Sequence, residues 1–263
     1  MTKIRPPAVA GAFYPENPVQ LQSMIDYFLD EAEDDGQSNP PKAIIVPHAG
    51  YIYSGPVAAS AYARLKKQAD KITRVVLIGP SHRVAFAGLA VPSVDEFATP
   101  LGNIRIDTQT VAELATLPFV HYLNQAHSME HSLEVQLPFL QAVLKSFQLV
   151  PIVAGDASAD QVRQVLEKVW GGPETLIVIS SDLSHYHDYE TAREMDSYTS
   201  RLIEAKQYEN LDFDSACGRT PVSGLLAYAR DHDLSVKTVD LRNSGDTAGD
   251  KNRVVGYGAY VIN

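Results

Sequence analysis

The sequence predicts an α/β protein, a three-layer sandwich of helices around a mainly parallel or mixed sheet. Three observations carry this. Short, continuously apolar runs of strand type recur: "AIIV" (43–46), "RVVLIG" (74–79), "LAVPS" (89–93), "LVPIVAG" (149–155), "TLIVIS" (175–180), "SVKTVDL" (235–241) and "VVGYGAYVI" (254–262). Runs without alternation suit strands covered on both faces, as in parallel sheets. Helical patterns lie between them, the alternation that builds layered α/β folds. Finally, 263 residues with 45% hydrophobic and 21% charged content supply core for one domain of this class, so residues 1–263 read as a single domain.

The first helix follows Asn17-Pro18, a cap and a first-turn proline; Leu21, Met24, Ile25, Phe28 and Leu29 then fall on one face. The stretch 31–42, "EAEDDGQSNPPK", is acidic and then proline-rich and reads as a surface loop. Further helices are predicted over 57–67, 111–117, 132–147, 159–170, 189–205 and 221–231.

Composition excludes several classes. A formal net charge of −10, from 32 acidic and 22 basic residues, disfavours a nucleic-acid or anionic-membrane surface. One cysteine, Cys217, forbids an intrachain disulfide and fits a cytoplasmic protein. No apolar h-region stands near the N-terminus, and no run approaches the roughly 18 apolar residues of a spanning helix.

Ligands of open α/β sheets bind beyond the carboxyl ends of strands. Four strand ends here deliver histidines or carboxylates. They are "PHAGYIYSG" with His48, "PSHR" with His82, "SDLSHYHD" with Asp182, His185 and His187, and "RNSGDTAGD" with Asn243, Ser244 and Asp246. Imidazole suits zinc, copper, iron and nickel, and two histidines with one carboxylate form the facial site of non-haem Fe(II) enzymes. His48 and His82 are therefore the candidate metal ligands. Asp182 and His185, three residues apart, are a candidate acid/base pair in which the carboxylate sets the imidazole tautomer; the plainer reading is a turn cap beside a packed ring. Alternation along the chain turns His187 elsewhere. In "HSMEHSLEVQLPFL", His131 and Glu134 lie at i, i+3 at a helix start, either as polar caps or as the wall of a ligand cleft. Tyr51 and Tyr53, with Phe13 and Tyr14, are core residues or line a pocket for a flat ligand. Phosphate loops, dinucleotide fingerprints and the nucleophile elbow are absent. Cys217 precedes a helix near Pro221, where a buried structural thiol is the commoner outcome.

The motifs "AGAFYP", "PHAGYIYSG", "GPSHR", "EHSLEVQLPFL", "SSDLSHY", "CGRTPVSGLL" and "VVGYGAY" occur in this order, and over 5–260 the chain resembles the Memo family. Its bacterial and archaeal members are called AmmeMemoRadiSam system protein B. The resemblance implies a fold like that of the class III extradiol ring-cleaving dioxygenases, whose Fe(II) is held by two histidines and a glutamate beside an acid/base histidine. Carried over by motif, His48 and His82 match the two ligands, and His185 matches the acid/base residue with Asp182 beside it. The third ligand is where this chain departs: animal Memo has a cysteine in the last loop, whereas "LRNSGDTAGD" has none and offers Asp246. Tyr51, His131, Glu134 and Ser244 are the expected substrate-side residues. The resemblance further implies iron or copper binding with redox activity, zinc being a third option. It also implies phosphotyrosine-peptide binding in the animal protein, and a radical-SAM protein and an AMMECR-type protein as partners. The readings to be weighed are a metal-dependent oxidoreductase, a non-catalytic module for a peptide or small ligand, and a metal-dependent hydrolase.

Overall fold

A computed structural model describes residues 2–32 and 40–263. Residues 33–39, within the stretch read as a surface loop, lie outside the described residues.

The strands are β1 (Ile4–Arg5), β2 (Ala43–Val46), β3 (Arg74–Pro80), β4 (Leu89–Val91), β5 (Glu96–Thr99), β6 (Gly102–Arg105), β7 (Val120–Tyr122), β8 (Gln148–Ala154), β9 (Thr175–Ser180), β10 (His185–His187), β11 (Val236–Asn243) and β12 (Val254–Ile262). The helices are α1 (Pro18–Glu31), α2 (Tyr51–Tyr62), α3 (Thr108–Leu114), α4 (Asn124–Ser128), α5 (His131–Glu134), α6 (Leu137–Val143), α7 (Ala159–Val169), α8 (Tyr189–Glu204) and α9 (Arg219–Asp231). The main sheet runs β10-β12-β2-β9-β3-β8-β4-β7, with β11 also paired to β12. Its centre, β2-β9-β3-β8, is parallel, while β12 joins β2 and β4 joins β8 antiparallel. The sheet is thus mixed and flanked by helices, as expected: α2 meets β2 and β12, and α9, backed by α7, meets β3 and β9. A small sheet, β1-β5-β6, stands apart.

Every residue of β2 and β9 is buried, and so is β3 after Arg74. That is why these strands carry no polar alternation. Their register sets Val46 beside Ser180 and Ile78 beside Ile179, so the segments leaving β2, β9 and β3 emerge side by side.

Two of the predicted helices differ from the sequence expectation. The helix over 132–147 is divided into α5 and α6. Pro138 lacks an N–H and clashes with a preceding turn, and the buried Gln136 amide is spent on Pro47 O and Ser180 Oγ. The helix after "PHAG" begins at Tyr51, not 57, and contains Pro56.

His127 is buried beneath β4, 2% exposed, its Nε2–H donating to Ala90 O at 3.1 Å. Burial pushes its pKa from 6.5 to about 3. Unfolding below pH 6.5 therefore takes up a proton the native ring refuses, and stability is lost as pH falls from 6.5 towards about 3. The loss is up to about 1.4 kcal/mol per pH unit. Urea midpoints at about pH 7 and about pH 5 check this, with His127→Gln falling less between them than the parent.

Candidate metal centre

The turns leaving β2 and β3 bring His48 and His82 edge to face, ring centroids 5.2 Å apart. His131, at the start of α5, stacks on His82 at 4.7 Å and meets His48 at 5.5 Å. One ligand-capable atom from each of the three lies within 4.8 Å of the others. Helix α5 can approach because the next-to-last residue of β3 is Gly79, where a Cβ would lie 2.9 Å from Leu133 and Ser132 side-chain atoms.

Hydrogen bonds define which ring nitrogens are free. Ser180 Oγ donates to Ser132 O at 2.6 Å, so it accepts from His48 Nδ1 at 2.9 Å. The proton of His48 therefore sits on Nδ1, and Nε2 keeps its lone pair. His82 Nδ1 donates to Glu130 Oε1 at 2.9 Å, and the His82 amide donates to Glu130 Oε2. This takes up His82 Nδ1, so Nε2 is the nitrogen left to a metal. His131 Nδ1 is buried without a hydrogen-bond partner, 3.5 Å from Glu130 Oε1. Burial lowers the pKa of His48 and His131, reinforced at His48 by the neighbouring rings, so both stay neutral. Burial opposes the Glu130 charge, but hydrogen bonds from the His82 ring and amide outweigh it and hold the carboxyl at about 2. Three imidazoles, two of them oriented by fixed acceptors, can hold a metal ion, and the carboxylate–histidine pair is the support such ligands use. Glu130→Gln is expected to weaken metal binding about 10–100-fold, read by competition with a chelator.

Asp182 is buried at the end of β9, and its Oδ1 accepts the His48 amide at 2.7 Å. Burial raises its pKa. Among the described residues no hydrogen bond joins it to His185; its partner is His48, whose Nε2 lies 4.0 Å from Oδ2. The thiol of Cys217 stands 3.3 Å from the same Nε2 and receives the Asp182 amide. Burial, then the Asp182 charge, push that thiol up to about 12, so it faces His48 as an S–H donor.

His185 and His187 both line the cleft, of about 800 Å³, together with His48, His82, His131 and Ser244. Residues two apart in a strand share a face, so the expectation that alternation turns His187 elsewhere is corrected: His185 and His187 line the cleft together. Between them Tyr186 adopts φ 65° and the register to β12 shifts, a bulge that re-aims side chains. Phe13, Tyr53 and the exposed Tyr186 and Phe213 give the cleft aromatic walls.

Three expected site residues take other positions. Asp246 accepts from Tyr189 OH and from the Asn243 amide, closing a short 3-10 turn, and faces a second cavity of about 590 Å³. Glu134 points away from His131 into a buried ion pair with Arg5. Tyr51 is 1% exposed, its hydroxyl donating to Val135 O and its ring packed against Phe139. Ser244 does line the cleft, its Oγ accepting the Val255 amide.

The model of the Memo-like protein family matches residues 5–261. The chain belongs to the Memo family. Memo-family relatives include a "MEMO1 family protein" of Aquifex aeolicus, 37% identical over 97% of both chains, and one of Sulfolobus acidocaldarius, 36% identical with the same coverage. A third, from Methanocaldococcus jannaschii, is 34% identical over the full length of both. A solved structure of an uncharacterized protein from Escherichia coli K12 superposes with a TM-score of 0.51 at 12% identity, covering 83% of this chain and 98% of that one. At that identity the likeness speaks for the fold alone. Among the Memo motifs of this chain, "EHSLE" holds the residues least legible in advance: Glu130 as the partner of His82, and His131 as the third imidazole. The signal was a glutamate cap directly before a histidine.

Proposed function

We propose that this Memo-family protein binds a transition-metal ion through His48, His82 and His131 and uses the cleft for oxidoreductase chemistry on a small molecule. The observation that carries it is the fixed acceptor on Nδ1 of His48 and of His82, which leaves Nε2 of each as the ligand atom; at His48 only the weak Cys217 S–H donor stands against it. Iron(II) is the ion the family resemblance implies, and copper or zinc also suit imidazole donors. When bound, the ion supplies Lewis-acid or one-electron chemistry. The chain's own residues do the rest. Glu130 and Ser180 orient the ligands, His185 takes or gives a proton at the cleft wall, and buried Asp182 stabilises positive charge gathering on the imidazoles. Phe13, Tyr53, Tyr186 and Phe213 hold a flat or apolar ligand and exclude water. A radical-SAM protein and an AMMECR-type protein are proposed partners on the resemblance alone.

A second reading, metal-dependent hydrolysis, is favoured by one observation. The cluster contains three histidines and no carboxylate, the donor set of some catalytic zinc sites. An oxygen electrode separates the two. The Fe(II)-loaded protein, offered catechols and simple esters, is expected to consume oxygen with a catechol and to lose this in His185→Gln. Ester cleavage without oxygen uptake would replace the first reading by the second. Ligand binding that persists without metal and without turnover would replace both by the binding module.

A further inference from the structure

Helix α8 carries a buried carboxylate that the site chemistry leaves unused. Asp196 lies about two turns into α8 and is 3% exposed. Its Oδ1 accepts the Ser184 amide at 3.0 Å, one residue before His185. The carboxylate reaches this point because β12 has glycine there: a Cβ on Gly256 would lie 2.0 Å from Asp196 Oδ2. The same Gly256 donates its amide to Ser184 O and accepts the Leu183 amide, both at 2.8 Å. Ser184 is thus gripped by α8 from one side and by β12 from the other. The far end of the segment is also tied to α8, since Asp188 caps it by accepting from Thr191 N. Between the two anchors sits Tyr186 at φ 65°, a left-handed conformation that a non-glycine residue keeps only where its surroundings impose it.

We propose that Asp196 is the positioning residue for His185 and His187: it pins the upstream end of the bulge and so turns both rings into the cleft. Its consequence for chemistry rests on the function proposed above, whereas the positional claim does not. Asp182, close by in sequence, is committed to the His48 amide and cannot do this work.

Histidine-labelled protein tests it by NMR, with ring signals assigned from single His→Gln variants and Zn(II) titrated as the metal probe. In Asp196→Ala the ring signals of His185 and His187 are expected to shift, while those of His48, His82 and His131 and the Zn(II) affinity stay as in the parent. Asp196→Asn, whose carboxamide oxygen still accepts the Ser184 N–H, shifts the same two signals less. Should the alanine variant not fold, Asp196→Asn and Tyr186→Gly, which relaxes the bulge from its centre, carry the test through the same two signals. Unmoved His185 and His187 signals overturn the proposal, and so does a change spread over all five rings or a parallel loss of Zn(II) affinity. If the parent itself binds no Zn(II), the metal reading fails and the histidine signals still decide the role of Asp196.

Discussion

Replacing His48 and His82 together by alanine is expected to abolish metal loading, with affinity falling by more than the roughly 10–100-fold that loss of a supporting residue costs. Both rings are held through Nδ1 by fixed acceptors, Ser180 for His48 and Glu130 for His82. The double change removes two of three donors and leaves His131 alone, which no chelate can survive. Asp246→Ala, by contrast, leaves loading unchanged, because that carboxylate serves Tyr189 and the Asn243 amide beside a different cavity. Elemental analysis after anaerobic Fe(II) loading and desalting reads both. Equal metal in parent and double variant, or a loss confined to Asp246→Ala, would sink the three-histidine assignment.

The largest stability effect is expected at Glu134. Its side chain is fully buried, pairs with Arg5 Nη1, and accepts from the Ala8 and Val9 amides and from Tyr14 OH. Arg5 in turn donates to His127 O and Glu130 O, tying the N-terminal segment to the helix start that presents His131. Glu134→Ala strands a buried guanidinium, a phenol and two amides. Breaking a buried pair in this way costs about 3–5 kcal/mol. Against a typical total of about 5–15 kcal/mol, that is a large part of the stability. Urea unfolding is expected to show a lower midpoint with an unchanged slope. Arg5→Met with Glu134→Leu, which removes both charges, recovers part of the loss; a double variant less stable than Glu134→Ala would contradict this account.

These two positions show what could be read in the chain and what could not. The strands β2, β3 and β9 were legible because they are buried on both faces and therefore apolar throughout. Their parallel adjacency makes His48, His82 and Asp182 converge, so a strand-end survey finds the cleft. The neighbours on α5 were not separable. Glu130, His131 and Glu134 share one helix start, but Glu134 is claimed by Arg5, 129 residues away, and Glu130 by His82, 48 residues away. No local pattern reports partners at that distance. Asp246 looked available because its loop follows a strand; the 3-10 turn after Asn243 folds the carboxylate back onto its own backbone. His187 was set aside on alternation, yet residues two apart in a strand share a face, and His187 lines the cleft beside His185; the left-handed Tyr186 between them is what sequence does not announce. Cys217 became a neighbour of His48 only through the packing of the turn before α9 against the end of β9.

The central claim is that His48, His82 and His131 together hold the metal. The most direct measurement is a crystal structure of anaerobically Fe(II)-loaded protein with anomalous scattering recorded across the iron edge. The account predicts one strong anomalous peak bonded to Nε2 of His48 and of His82 and to a ring nitrogen of His131, with Glu130 still on His82 Nδ1. A peak coordinated by Asp246 instead, or a cluster left without any peak at full iron loading, would contradict it.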